Sequence, residues 1–248
     1  MIHGTARRVR IVATVAAAVL AMVTAASACA QPGNSGAASG GGGRAVPSPD
    51  SVAARAQRAR EKGSPTAQLT VIEVSDFQCP YCRQFYENTY RAFDSAYVKT
   101  GKVKMVFIHF PLPIHAQAMP ASKAAACAGA QGKFWEMHDR LFATQREWSG
   151  QADAVQRFAR YAAELRLDPA AYRDCVENDR TSALIINDVM QASGAGITGT
   201  PAFVINNRIL PGAVPFADLA REIDAALAAP PAPAPAPGAQ APAPPPAP

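Results

Sequence analysis

Histidine is scarce in this chain, and what there is does not gather around cysteine. There are four histidines and five cysteines among 248 residues. A structural zinc site wants four such ligands in two close pairs. Cys127 and Cys175 have no partner at that spacing, and no histidine clusters with them, so no metal is expected. A stripe of Lys and Arg interleaved with aromatics is also missing. The net charge of +5 comes partly from Arg7, Arg8 and Arg10 and from the Arg-rich stretch 55–62, and it gives no footprint for nucleic acid.

Charge is missing altogether from two segments, and neither can belong to a folded core. Residues 11–26 are mostly Ala, Val, Leu and Ile behind a basic start, and they run into Ala26-Ser27-Ala28-Cys29. A basic start, an apolar run of about 15 residues and a small-x-small site describe an export signal, here residues 1–28. The alternative is an uncleaved membrane anchor, for which the run is short. Ala-Ser-Ala-Cys is similar to a bacterial lipobox, which makes Cys29 a lipidation candidate and membrane tether. The box lacks the preferred Leu, and plain cleavage after Ala28 is the competing reading. Residues 29–66 read as a flexible Gly/Ser/Ala-rich linker with a short surface helix at 51–62. Residues 230–248 are almost entirely Pro and Ala and read as a disordered or polyproline-like tail.

The remaining 67–229 is one domain with room for a core. Residues 68–74 (QLTVIEV) are dense in β-branched side chains and read as a buried strand. A helix follows from Pro80, on which Phe85, Thr89, Phe93 and Tyr97 recur every four residues; Gly101 ends it. Residues 103–110 (VKMVFIHF) form a second strand, stopped by Pro111 and Pro113. A helical, Ala-rich insertion spans about 115–191, with breaks near Gly150 and at Leu167-Asp168-Pro169. A strand opens at Thr200-Pro201, turns at Asn206-Asn207 into a second short strand, and a helix at 216–227 closes the domain.

Five cysteines leave four once Cys29 is set aside, and export permits disulfides. Cys127 and Cys175 lie in helix-like stretches. They are either a structural disulfide, the preferred reading for an exported protein, or two separate buried thiols. Cys79 and Cys82 frame Pro80 and Tyr81. With Cys79 just before a helix and Cys82 in its first turn, the two sulfurs share one face and can bond. Cys79 would then sit at the positive end of the helix, beside unpaired N–H groups that favour a thiolate. A stable thiolate stabilises the reduced form and makes the disulfide an oxidant. Glu73, six residues earlier and inside the apolar strand, is the candidate acceptor for the Cys82 proton; a buried acid there would have a raised pKa. A Glu facing solvent at a strand edge is the bland alternative. Thr200-Pro201 opens its strand with an X-Pro bond. A cis bond there would present the Thr200 backbone to an incoming peptide, whereas a trans bond would make an ordinary turn.

These segments together resemble the DsbA family of thioredoxin-fold thiol–disulfide oxidoreductases. The likeness covers about 63–227. It rests on GSPTAQLTVIEVSDFQCPYC, on FWEMHDRLF after an Ala-rich helix, and on GITGTPAFVINN. It implies an α/β thioredoxin fold with an inserted α-helical domain. Cys79 would be the exposed nucleophile, Cys82 the resolving cysteine, and Pro201 a cis-proline facing them. The insertion would cap the site, and Cys127–Cys175 would match a second disulfide seen in some members. No cofactor is implied beyond the redox-active disulfide. The implied partners are reduced or unfolded secreted proteins and a quinone-linked membrane protein, DsbB-like or VKOR-like, that restores the disulfide.

Two features depart from the best-known oxidases. The central dipeptide is Pro-Tyr rather than Pro-His, and Thr before the proline resembles the isomerase branch. No N-terminal dimerisation domain is visible, so the expectation is a monomeric oxidase in the periplasm or cell envelope. A reductase or isomerase with the same site, and a non-catalytic binding module on the same fold, are the competing functions. His115 and His138 read as surface or capping residues.

Overall fold

A computed structural model describes Ser48 and residues 51–229. The export signal, Cys29, most of the linker and the 230–248 tail lie outside the described residues.

The chain order begins with α1 (Val52–Ala59), β1 (Glu61–Lys62) and β2 (Leu69–Ser75). A long helical segment follows: α2 (Pro80–Phe85), a π-helical stretch Tyr86–Tyr90, α3 (Arg91–Phe93) and a second π-helical stretch Asp94–Val98. Then come β3 (Val103–His109) and the helices α4 (Ala118–Gly129), α5 (Phe134–Ala143), α6 (Gln145–Trp148), α7 (Ala154–Glu164), α8 (Pro169–Glu177) and α9 (Ser182–Gly194). The hairpin β4 (Ala202–Ile205) and β5 (Arg208–Pro211) and the helix α10 (Phe216–Ala228) end the fold. The strands lie in the order β1-β3-β2-β4-β5. Among the described residues, only β2 and β3 run parallel. A parallel pair needs a crossover, and the 80–98 helix supplies it.

The four-residue repeat on that helix has a structural consequence. An α-helix turns every 3.6 residues, so a strict repeat of four drifts off one face. The two π-helical stretches widen the turn. Phe85, Thr89, Phe93 and Tyr97 are all buried. Phe85, Phe93 and Tyr97 pack with Val71, Met105, Phe203 and the α10 residues Leu219 and Ile223 on one face of the sheet. The opposite face, with Val74 and Ala202, is covered by Ala192 of α9 and by Ile197.

Two sequence expectations need correction. The short helix expected at 51–62 is present as α1, but the stretch belongs to the folded domain rather than to a flexible linker. Ser51 caps α1 through a 3.1 Å hydrogen bond from Ala54 N–H, and Ala56 packs against Ala126 of α4 and Ala130, the residue that ends it. β1 then joins the sheet beside β3. The Arg-rich composition hid this, because one arginine, Arg60, is buried in an ion pair with Asp188 of α9. The fold therefore starts near Ser51 rather than at residue 67. Gly63 makes the return possible: its φ is +102°, and a Cβ there would meet the Val103 carbonyl oxygen at 2.6 Å, which only glycine avoids.

The insertion also has more breaks than the two expected. Further ones fall at Gly132, with φ 76°, and at Asp179, with φ 52°. Asp can adopt this left-handed backbone because its short polar side chain bonds locally, and no Gly or Pro marked the position.

Candidate active site

β2 is central, paired with β3 on one side and β4 on the other, and its C-terminal end delivers the 76–79 loop to the start of α2. Cys79 is the N-cap of α2, and Pro80 occupies the first turn, where its missing N–H costs nothing. Cys82 follows within that turn. Both sulfurs are free thiols in this structure.

The two thiols sit in unlike surroundings. The Cys79 pKa is lowered from 9.0 to about 6. The largest cause is the Cys82 thiol donating to it; burial opposes, and the Thr200 side chain and the main-chain N–H groups of Cys82 and Tyr81 add to the lowering. Cys79 Sγ also lies 3.4 Å from the Thr200 carbonyl oxygen. Cys82 is pushed well above the usual thiol range, first by burial and then by its neighbour Cys79. Its sulfur accepts the Asp76 N–H at 3.5 Å. At neutral pH roughly nine tenths of Cys79 would be thiolate and almost none of Cys82. Cys79 was expected to be exposed, and here the structure corrects the sequence: it is 3% exposed and Cys82 0%. The Thr200 carbonyl lies against the Cys79 sulfur, and the α6 side chain Gln145 holds the Cys79 main chain. Tyr81, 63% exposed, is the solvent-facing member of the motif.

Thr200-Pro201 is a cis peptide bond, 121 residues from Cys79 in sequence. The Thr200 hydroxyl is buried with no other hydrogen-bond partner, which leaves it free to favour the Cys79 thiolate. Beside it runs a groove of about 460 Å³ lined by Gly196 to Ala202, Ile209, Pro211 and Gly212.

Glu73 lies in the middle of β2, opposite Phe107 and Phe203. It is 1% exposed, so the reading of a solvent-facing edge residue fails. Burial raises its pKa from 4.5 to about 8. By strand alternation it shares the α2-facing side of the sheet with Val71 and Ser75. Cys127 and Cys175, far from this site in sequence, are bonded to each other between α4 and α8, with Cα atoms 5.8 Å apart.

Several residues at the site were not singled out from sequence. Asp76, fully buried, accepts Gln78 N–H at 2.7 Å, Leu112 N–H at 2.9 Å and His115 Nδ1 at 2.6 Å. Gln145 Nε2 donates to the Phe77 carbonyl at 2.7 Å and to the Cys79 carbonyl at 2.9 Å. Gln78 and Gln117 bond each other twice, at 2.6 and 2.7 Å. The insertion thus holds the active-site loop by side-chain amides. Asp76 had one sequence signal, an Asx turn into Gln78; the glutamines had none. His115 is therefore part of the loop's support. His138 is buried rather than superficial, ringed by Phe77, Tyr86, Tyr90, Phe107, Trp135 and Phe142.

A sheet of this order, a cis-proline facing a helix-capping Cys-x-x-Cys and a helical insertion define a class, the DsbA-like thioredoxin fold. The chain belongs to the thioredoxin family, whose model matches residues 56–225. Among solved structures it is similar to alpha-DsbA1 of Wolbachia pipientis, with TM-score 0.62 and 24% identity over 68% of this chain and 90% of that one. It is similar also to a thioredoxin-like oxidoreductase from Silicibacter pomeroyi, with TM-score 0.57 and 27% identity over 68% and 92%. A sequence relative is the Na(+)/H(+) antiporter NhaA 1 of Salinispora arenicola, 36% identical over 168 residues, 67% of this chain and 24% of the antiporter. The chain spans about a quarter of the length of such relatives. Among the described residues no helix is long and apolar enough to cross a membrane.

Proposed function

We propose that the protein is an exported thiol–disulfide oxidoreductase that donates its Cys79–Cys82 disulfide to reduced secreted proteins. The observation that carries this reading is the opposed pair of thiols, Cys79 lowered to about 6 and Cys82 raised well above the ordinary range. The similarity to alpha-DsbA1 and to the Silicibacter oxidoreductase supports it.

The chemistry runs as follows. A substrate thiolate attacks Cys79 Sγ, the Cys79–Cys82 bond breaks, and the electron pair leaves on Cys82, which takes a proton. The second substrate thiol then displaces Cys79, giving the substrate disulfide and the reduced enzyme. Two electrons move from substrate to enzyme, and the second proton goes to solvent, because Cys79 stays a thiolate above about pH 6. Glu73, with its pKa near 8, is mostly protonated at neutral pH and serves as the donor to Cys82 and the acceptor on return. Thr200 and Pro201 present backbone to the substrate chain. The disulfide is the only redox group required. A quinone-linked membrane protein would reoxidise the site, and the enzyme would act as a monomer. The basic, apolar segment 1–28 would export it to the periplasm or cell envelope, and Cys29 would tether it to the membrane.

Equilibration of Cys79–Cys82 in glutathione buffers tests the direction. A potential near about −120 mV is expected for a donor; one near about −270 mV would make the protein a reductase. A Cys79→Ser variant that kept full biological activity would instead make it a binding module.

A further inference from the structure

At its active-site end, the sheet face beneath α2 carries a buried titratable side chain that the mechanism above does not use. Glu73 and Ser75 are alternate residues of β2, and His109 of β3 stands opposite Ser75 in the parallel register. His109 also alternates with Met105 and Phe107, which face the same side. All three polar residues are buried, at 1, 0 and 0% exposure. Among the described residues, four of their atoms have no hydrogen-bond partner: Glu73 Oε2, Ser75 Oγ and both ring nitrogens of His109. Buried polar atoms are almost always partnered, by protein or by internal water. Four orphans at adjacent register positions, under a pair of thiols that must exchange protons, form a group rather than scattered lapses.

Ser75 is the link. Its hydroxyl lies near enough to lower the pKa of both the Glu73 carboxyl and the Cys82 thiol, although it makes a full hydrogen bond to neither. The His109 main-chain N–H is spoken for, donating to Asp188 Oδ2 at 3.0 Å. Its ring stands among Phe77, Phe107 and Phe134, at centroid distances of 6.1, 5.2 and 5.8 Å, on the side of the core that holds Cys79 and Cys82.

The geometry points to His109 as a positioning residue for proton transfer at Cys82: through internal water its imidazole joins Ser75 and Glu73 in one hydrogen-bonded path. A neutral imidazole accepts at one nitrogen and donates at the other, so it can hold the Glu73 proton in line without gaining charge. The charged and titratable groups around it agree with a neutral ring. Burial, then Arg60 and His138, keep its pKa well below the usual value. The Asp188 carboxylate, the one nearby anion on α9, is engaged by Arg60 and by the His109 main chain. Tyr90, which also lies near Glu73, is kept protonated chiefly by burial, and Glu73 and Cys82 are the acids that Ser75 reaches.

This inference rests on the exchange reaction proposed above. The test follows reduced full-length protein reacting with oxidised glutathione. The first step, attack by Cys79, forms a mixed disulfide and releases one glutathione thiolate. In the second, Cys82 loses its proton and displaces the other. His109→Phe keeps the ring volume and removes both nitrogens; His109→Gln keeps hydrogen-bonding groups. The expected result is that His109→Phe slows the second step roughly tenfold near neutrality and displaces its pH profile. The first step and the Cys79 titration should hold, and His109→Gln should recover part of the loss. A wild-type second step and pH profile in folded His109→Phe overturns the proposal. If that variant does not fold, the ring ¹⁵N resonances of wild-type His109 decide. Hydrogen-bonded nitrogens that follow the Glu73 titration, and cease to in Glu73→Gln, support the path; nitrogens without hydrogen bonds, indifferent to Glu73, overturn it. If the wild type does not exchange with glutathione at all, the functional reading fails while the resonances still decide the network.

Discussion

Cys79 Sγ lies 3.4 Å from the carbonyl oxygen of Thr200. The thiol can donate to that carbonyl, and once it ionises, the otherwise unpartnered Thr200 hydroxyl can turn to the thiolate. The Thr200→Val variant removes the second option alone. The Cys79 pKa should move upward from about 6, read by thiolate ultraviolet absorbance against pH, and the potential should become more reducing. An unchanged titration would mean that the hydroxyl contributes nothing.

The unlike thiols also fix how the potential varies with pH. Below about pH 6 both cysteines of the reduced form carry protons. Reduction then takes up two protons for two electrons, and the potential falls by roughly 60 mV per pH unit. Above about pH 6 Cys79 is ionised and only Cys82 takes a proton, so the slope halves to roughly 30 mV. Glutathione equilibria across this range should show the break; a single slope through pH 6 would refute the lowered Cys79 pKa.

Glu73 gives a stability prediction with a definite sign. Its folded pKa, about 8, is above the unfolded value of 4.5. The folded state therefore binds the extra proton, and stability falls as pH rises from 4.5 through 8. The whole span corresponds to roughly 5 kcal/mol. In chemical denaturation Glu73→Gln should match the wild type near pH 4.5 and exceed it by several kcal/mol above pH 8. The same variant should slow the step that moves the Cys82 proton. A constant gap at all pH values would show that Glu73 is not the titrating group.

Gln145 reaches from the insertion to two main-chain carbonyls of the active-site loop. Its loss removes the partner of the buried Phe77 carbonyl, while the Cys79 carbonyl keeps the Arg83 N–H at 3.2 Å. Gln145→Ala should destabilise the fold by about 1–3 kcal/mol and reduce exchange by loosening the backbone at Cys79. Glutamine-like stability in the alanine variant would argue that the insertion caps the site without holding it.

The Cys127–Cys175 bond joins α4 to α8 across 48 residues of sequence. Replacing both with Ala should cost about 4 kcal/mol by the loop-closure relation and leave the Cys79 titration near 6. A large shift in that titration would instead couple the insertion's disulfide to the active site.

Local sequence determined a good part of this protein. β-branched runs set β2 and β3, because such side chains pack on a pleated surface. Cys79-Pro80 set a helix start, because Pro fits only where no N–H is needed. The repeat of four at Phe85, Thr89, Phe93 and Tyr97 set a helix, while the π-helical stretches that widen its turn emerged only in the structure. What sequence could not supply were pairings made across long separations. Arg60 reads as part of a charged surface run until Asp188 is seen beside it. His115 and His138 read alike until one bonds Asp76 and the other enters an aromatic cage, and His109 reads only as the end of a strand until its register with Ser75 is seen. Gln145 carries no signal at all in the chain, because an amide is given a role only by the carbonyls that folding places before it. The near burial of Cys79 is likewise a tertiary result: its neighbours in sequence leave it at the open end of a helix, and Thr200 comes against its sulfur only in the folded molecule.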